Sequence, residues 1–398
     1  MAPRRESYDV VIIGGAAMGA ATAWFLTEEP GFDGRILVVE RDTRFTHAST
    51  SHTNSCMRQQ FSTPVNIRIS QFARAYIRDF RARMGGGPEV PEIDFDPLGY
   101  LYLAATEAGA EALRANRTVQ QPEGAAARCL TPDALRRRLP FMTTDDLVLA
   151  SLGGPDEGYF DGATMIAWWR RMARARGVET IEAEAIGLER TGGRASGVRL
   201  SDGRTISAGW VVNAAGPRAA RVAAWAGFDL PVEPRKRTTW VFRPAEPLGA
   251  KLPLTIDPSG VHVRQDGAAF MAGSGPAGVD GAVDADDFAE DPALWQDHVW
   301  PILAARIPAF ERLRVTASWV GHYAWNRLDR NAVIGPVPGC GNVVLVNGFS
   351  GHGLQQAPAM GRGVAELIVH GRFRSLDLSD LGPGRVLTGT PFGERNVI

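Results

Sequence analysis

Residues 8–40 read YDVVIIGGAAMGAATAWFLTEEPGFDGRILVVE, and this stretch decides the fold. Residues 8–13 are dominated by β-branched side chains, the composition of a strand buried on both faces. Gly14-Gly15-Ala16-Ala17-Met18-Gly19 follows as a turn. Residues 20–28 read as a helix with small side chains toward a sheet, and 36–40 as the next strand. Strand, glycine turn, helix and strand within about 33 residues make a βαβ unit of an α/β protein. The turn approximates G-x-G-x-x-G. Gly14 sits at the turn and Gly19 where helix and strand pack, while Ala16 replaces the middle glycine with the next smallest residue. A pyrophosphate can still approach the helix N-terminus, where free N–H groups favour anions. Glu40 ends the second strand, about 20 residues past Gly19, where a carboxylate can take both hydroxyls of an adenosine ribose. Fingerprint, spacing and acid together predict dinucleotide binding. The bland alternative is an ordinary α/β turn with a surface glutamate.

The same region imitates an export signal. Arg4 and Arg5 precede an uncharged run over 10–26, and Ala21-Thr22-Ala23 resembles a cleavage site. Asp9, the glycines and the following strand favour a folded unit instead, and the run falls short of the roughly 20 residues of a spanning helix. The expectation is a cytoplasmic protein with no transmembrane segment.

Composition agrees. The 398 residues suggest two to three domains. Glycine, at 45 residues, exceeds ordinary usage, as tight turns and close backbone approaches require. Lys plus Arg is 43 against 44 acids, a net charge of −1 that argues against nucleic acid as the main partner. Cys56, Cys129 and Cys340 are odd in number and far apart, so they form neither a disulfide framework nor a metal motif. No metal is expected, and a reducing compartment is the simpler setting.

Working outward, 41–66 is polar and irregular, and a loop of that length inside a compact domain is usually functional. Residues 67–84 carry a helical apolar stripe. Residues 100–104 alternate like a strand, 107–116 read as a short helix, and Thr131-Pro132 marks a helix start. A turn over 156–161 precedes a helix over 163–176 and a strand near 178–182. Residues 187–206 read as a hairpin pair, and 210–214 as a strand entering Ala215-Gly216-Pro217. Strand-like pieces lie in 233–243 and 261–273, a helix over 295–310, and extended chain over 315–323. A short buried strand over 342–346 ends in Gly348-Phe349-Ser350-Gly351-His352-Gly353, and a helix follows over 358–369. A nicotinamide domain continues with regular βα units. Here an irregular segment follows Glu40 at once, and two later strand ends supply glycines, as if three regions converge on one extended cofactor.

These features, 9–40, Ala48-Ser49-Thr50, the strand end 211–216 and 348–367, resemble the D-amino-acid oxidase superfamily of FAD-dependent oxidoreductases. That superfamily includes glycine oxidase, sarcosine oxidase, dimethylglycine dehydrogenase and D-arginine dehydrogenase. The run Arg58-Gln59-Gln60-Phe61-Ser62, with Pro64 and Asn66, is similar to a branch containing a mitochondrial flavoprotein that aids respiratory complex assembly. The resemblance implies a Rossmann-type FAD-binding domain from 6–84, 146–222 and 321–375. It implies a mixed-sheet α+β substrate domain from 85–145 and 223–320, with a C-terminal tail over 376–398.

For FAD, the resemblance implies contacts from Gly14, Gly15, Ala16, Met18, Gly19, Glu40, Arg41, Ser49, Thr50, His52, Ala215, Gly216, Gly321, Gly348, Gly351, His352, Gly353, Leu354 and Gln355. A histidine near the position of His52 is bonded to flavin in the dimethylglycine dehydrogenase branch. The flanking Trp and Gly of that branch are absent here, so non-covalent FAD is expected. His47 is an alternative loop histidine. Sarcosine-oxidase-like proteins link flavin to a cysteine near the region that here reads Gly321-His322-Tyr323, and none is present.

The implied chemistry is removal of hydride from a carbon bearing nitrogen. A carboxylate substrate calls for a guanidinium clamp. Arg58 is the first choice, with Arg327 and Arg330 as alternates. Tyr323, Trp325, Trp319 and Trp240 are candidates for an aromatic lid. Gln355 stands about where sarcosine-binding members carry a lysine, and 270–272 hold no lysine where those oxidases keep one that promotes reaction with oxygen. The first departure speaks against sarcosine itself and an identical pose, and the second leans toward a dehydrogenase or slow oxidase. Arg58, Tyr323, His352, His52, Gln355 and Trp325 form the catalytic set. The expected partners are an amino acid or amine substrate and an electron acceptor, oxygen or a redox protein, with a homo-oligomer possible. The rival readings are a flavoprotein serving mainly as a respiratory assembly or interaction factor, and a nicotinamide enzyme.

Overall fold

The β-branched run at the start forms the strand Ser7–Ile13, central in an eight-stranded sheet. Ile36–Glu40 and Thr205–Asn213 flank it in parallel. Glu179–Glu182 lies parallel outside the first and Cys340–Asn347 outside the second. The hairpin strands Ala185–Thr191 and Arg194–Leu200 extend one edge antiparallel. The computed structural model describes residues 3–396. Because the central strands run one way, Gly14, Arg41, Ala214 and Gly348 all emerge at the same carboxyl edge, where open α/β sheets bind ligands.

The helix Ala17–Glu28 is buried on nearly every side and packs against Gly353–His370. A Cβ on Gly361 would stand 2.6 Å from that of Ala21, so the two helices meet at backbone distance. Behind them, the Tyr76 hydroxyl accepts from the indole N–H of Trp24 at 3.0 Å and of Trp169 at 2.8 Å. Three large aromatics are thus buried with their polar tips paired, each contributing about 2–3 kcal/mol by burial.

A second eight-stranded sheet is mixed. Its long antiparallel pair, Val232–Pro244 with Leu313–Asn326, leads to Ala269–Ser274, His262–Asp266, Leu254–Ile256, Tyr100–Ala104, Leu149–Leu152 and Arg128–Leu130. Strand Leu149–Leu152 therefore pairs in this sheet, whereas the resemblance places 146–222 with the first unit. Residues 321–326 likewise continue the strand Leu313–Asn326 of this sheet. Cys56–Met57, Gly158–Phe160 and Phe95–Asp96 form a small third sheet between the two.

Local differences from the sequence reading have local causes. The first helix begins at Ala17, directly out of the turn. The predicted helix 107–116 runs Glu107–Gln120 from a Thr106 cap. Residues 295–310 are not one helix: a π turn, Trp295–Val299, enters Trp300–Arg306 and a 3-10 turn, Pro308–Glu311, follows. Pro301 and Pro308 lack the N–H that a continuous ladder needs. The stretch after 376 does not trail away. It returns so that Glu394, 2% exposed, lies against residues 62–66.

Candidate functional site

The first strand ends in a turn that only glycine can make. Gly14 has φ +99°, and a Cβ there would lie 2.4 Å from the Ala214 carbonyl oxygen. Gly14 N–H donates to Val39 O at 2.9 Å, and Gly15 N–H to Glu40 Oε2 at 2.7 Å. Glu40 Oε1 also accepts from Asp42 N–H at 3.0 Å. The carboxylate is thus fixed between two strand ends. Gly19 lies beneath the turn, against Gly14. Ala16, the N-cap of Ala17–Glu28, supplies no side-chain cap, so amide groups of the first turn remain available for an anion. Thr50 Oγ1 accepts from Ala17 N–H at 3.3 Å, which ties the irregular loop to this helix start. Arg170 donates from Nε to Gly15 O at 3.1 Å, with its guanidinium 3.5 Å from the centroid of the Phe45 ring.

From this turn one long cavity crosses the carboxyl edge. Gly14, Ala16, Met18, Glu40 and Arg41 line its start, with Ala215 and Gly216. Ser49, Thr50 and His52, on a 3-10 turn, line its middle. Gly321, Tyr323, Gly351, His352, Gly353 and Leu354 line its far end with Arg58. Gly15 and Gly348 lie behind the wall, as does Gln355. The uncapped helix start, the glycine turn and the fixed acid suit the two ends of a dinucleotide's polar chain. His52 Nδ1, Asn54 Oδ1, Arg58 Nε and His262 Nδ1 are buried polar atoms without partners, and all four residues border this cavity. Burying such atoms unpaired costs about 1–3 kcal/mol each, which a bound group can offset.

Arg58 is 3% exposed. Its guanidinium carbon is 4.4 Å from the Phe61 ring centroid and 5.8 Å from that of Tyr100. Its Nη2 contacts His352 Nε2 at 2.8 Å and the Asn396 carbonyl. A guanidinium only donates, so His352 Nε2 is the acceptor. Burial and the Arg58 charge hold His352 well below its usual pKa, hence neutral. Gln355 Oε1 accepts from Arg58 N–H at 2.8 Å and so positions the backbone of the clamp.

Two buried acids hold the rest of this run. Glu157 accepts from Gln59 N–H at 2.9 Å and Gln60 Nε2 at 3.0 Å. Burial pushes its carboxyl up to about 7, against those donors and the Arg58 charge. Glu394 accepts from Ser62 N–H and Oγ, Thr63 Oγ1, Asn66 Nδ2 and Asn396 N–H, all within 3.0 Å.

The other sequence candidates separate clearly. Arg327 and Arg330 are exposed and off the cavity, and Arg327 pairs with Glu233. Trp325 lies off the cavity, between the guanidinium groups of Arg235 and Arg237. Trp240 packs on Trp295 in the core of the second sheet, and Trp319 Nε1 reaches His52 O at 3.4 Å. Tyr323 alone of the four aromatics borders the cavity. Cys56 borders it too, its thiol pushed up to about 11 by burial. Phe270, Met271 and Ala272 are buried in their strand, and no lysine lines the cavity among the described residues. Sequence reasoning missed Asn54, Tyr100, Glu157, Arg237, His262 and Glu394. His262 Nε2 lies 2.9 Å from Asn54 Nδ2, and burial takes its pKa to about 4. Among the described residues no helix is long and apolar enough to cross a membrane, and no cluster of His, Cys, Asp and Glu could hold a metal.

The family described as FAD dependent oxidoreductase (DAO) matches residues 9–367. FAD-dependent oxidoreductase domain-containing protein 1 of Xenopus laevis is 37% identical over 427 residues, covering 99% of this chain and 85% of that protein. Sarcosine oxidase subunit beta of Rhizobium meliloti is 28% identical, covering 92% of this chain and 86% of that one. L-proline dehydrogenase from P. horikoshii superposes with a TM-score of 0.83 at 24% identity, over 96% of this chain and 99% of that one. The chain belongs to the DAO family of FAD-dependent oxidoreductases, and FAD is its cofactor.

Proposed function

We propose that the protein oxidises the C–N bond of an amino acid or amine, most simply an N-substituted or D-amino acid. Bound FAD supplies the two-electron acceptor: the substrate carbon loses a hydride, the nitrogen loses a proton, and water hydrolyses the resulting imine. In this reading the eight-stranded sheet around Ser7–Ile13 builds the FAD domain and the mixed sheet covers the substrate. The turn 14–19 and the start of Ala17–Glu28 receive the pyrophosphate, and Glu40 the ribose. Ser49, Thr50, His52, Gly321 and 351–355 border the flavin ring.

Arg58 clamps the substrate carboxylate. The observation that carries this role is a fully buried guanidinium at the cavity's far end with an unpartnered Nε, held by a neutral histidine rather than an acid. An incoming carboxylate meets a guanidinium that no acid bonds directly, its nearest acids, Glu157 and Glu394, acting only through their field. His352 orients Arg58 from one side and Gln355 fixes its backbone from another. Tyr323 and Tyr100 wall the site against water. A sarcosine oxidase subunit and a proline dehydrogenase among the similar proteins support the amino acid class.

The run 58–62 was the sequence motive for a protein-binding role. Arg58, Gln59, Gln60 and Phe61 are all buried, so that run offers little surface to a partner. The test is an anaerobic screen of amino acids and matched carboxylate-free amines, read by bleaching of the flavin's visible absorption. Bleaching that needs the carboxylate and is lost in Arg58→Ala is expected. No bleaching by any member, or equal bleaching by the carboxylate-free amines, would overturn the reading.

A further inference from the structure

The far end of the cavity holds a second guanidinium. Arg237 stands opposite Gly321 in the long antiparallel pair, on the same face as Tyr323, and borders the cavity. Its guanidinium carbon is 4.7 Å from the Tyr323 ring centroid and 5.6 Å from that of Trp325, and its side chain is 10% exposed. Tyr323 feels both cations: burial raises its pKa, and Arg237 and Arg58 each oppose the rise. Around them the wall is uncharged: Asn54, Tyr100, Thr239 and a neutral His262. The acids that border the cavity, Glu40, Asp42 and Glu184, all belong to its opposite end.

Arg237 takes its counter-ion from outside the cavity wall. Asp280 grips it with two oxygens, Nη1 to Oδ1 at 3.0 Å and Nη2 to Oδ2 at 2.8 Å, yet its own side chain is 31% exposed. Asp280 lies in 275–291, a segment without helix or strand. Asp286 of this segment pairs with Arg41 and Arg218, Asp287 with Lys236, and Phe288 stacks between His47 and His322. The segment stays anchored at those points when one contact is exchanged.

We propose that Arg237 is a second carboxylate site, so that the pocket selects amino acids bearing two carboxylates, one on Arg58 and one on Arg237 in place of Asp280. This rests on the reading of Arg58 as the first clamp. Exchanging one carboxylate for another keeps Arg237 paired, and the displaced Asp280, already partly in water, keeps a second cation in Arg235, whose Nη1 lies 3.5 Å from its Oδ2. A substrate with one carboxylate leaves the Arg237–Asp280 pair untouched and gains nothing from it. A cationic side chain would face two guanidinium groups with no acid to receive it.

Iminodiacetate and sarcosine share the glycine skeleton and differ in a carboxymethyl against a methyl group on nitrogen. Each is titrated anaerobically into the FAD-loaded protein, and half-saturation is read from flavin bleaching and, independently of turnover, from the shift in thermal unfolding midpoint. The wild type is expected to favour iminodiacetate by on the order of tenfold, the worth of one charge-assisted pair. Arg237→Gln should bring that ratio to about one. Asp280→Asn, a change at a partly exposed side chain, should widen it by removing the competitor. Equal half-saturation in the wild type, or a ratio unmoved by Arg237→Gln, overturns the second site while leaving the first clamp standing. If neither compound bleaches flavin or shifts unfolding, and Arg58→Gln changes nothing either, the amino acid reading fails as well.

Discussion

Glu157→Gln is expected to flatten part of the protein's pH dependence of stability. In the folded chain burial pushes this carboxyl up to about 7, from an ordinary 4.5. The folded state therefore keeps a proton that the unfolded chain releases. Its contribution to stability is full below about pH 4.5 and is lost as pH rises through about 7. A gap of that width corresponds to about 3 kcal/mol between the two limits. Glutamine has no such titration. Its amide oxygen can still accept one of the two bonds, while its NH2 meets either Gln59 N–H or Gln60 Nε2, for a pH-independent loss of about 1–2 kcal/mol. Other titrating groups are common to both proteins and cancel in the difference. The assay is urea unfolding of wild-type and variant apoprotein, followed by tryptophan fluorescence at several pH values from 4.5 to 8. The wild-type advantage over the variant should shrink by about 3 kcal/mol across that range and reverse sign at roughly pH 5.5–6.5. Parallel stability curves would refute the reasoning, because they would mean that Glu157 titrates alike in the folded and unfolded chain.

Glu40→Ala is expected to weaken FAD binding by about 2 kcal/mol, some 30-fold, with little change in flavin reduction rate; an unchanged affinity in apoprotein titration would remove Glu40 from the ribose. Glu394→Ala leaves the buried donors of Ser62, Thr63 and Asn66 without their acceptor, and should lower unfolding free energy by about 3 kcal/mol; a loss below about 0.5 kcal/mol in urea would show that water replaces it. His52 is held neutral by burial and the nearby His47 and His322, and is expected not to be bonded to flavin. Acid precipitation should then give a yellow supernatant, and a yellow pellet that turns colourless in His52→Ala would reverse that assignment.

The cofactor half of this protein was legible because its signal is local. Gly14, Gly19 and Glu40 fall within one βαβ unit, and each residue type answers a constraint set by its immediate neighbours: a positive φ, a close helix contact, a strand end. The substrate half depends on long-range pairing. Arg237 reaches Tyr323 through the register of two strands far apart in sequence, which no periodicity within either strand encodes. Glu157 sits in a short turn and reads as a surface acid until Gly153 and the run 58–60 close over it. Arg58 could be singled out as a clamp because it directly follows the flavin loop, but its neutral histidine partner comes from a strand end nearly 300 residues later. Trp240 and Tyr323 looked alike as aromatics on strands, and only the packing of Trp295 over the first sorted core from cavity.

The return of residues 392–396 to the site sets a timetable for synthesis. Ser62 leaves the ribosome 332 residues before the carboxylate that pairs its backbone N–H. At ordinary translation rates that interval is on the order of tens of seconds. The first strand, too, must wait for Thr205–Asn213 before its second edge is covered. Throughout this time the Ser62 N–H and the Ser62 and Thr63 hydroxyls have only water in place of the carboxylate, while Gln59 and Gln60 can already reach Glu157. This corner of the site is therefore the last to be completed, when Glu394 is added. Fragments cut before that residue, even those containing the whole glycine turn and both parallel neighbours of the first strand, should accumulate as aggregates rather than as a flavin-binding domain.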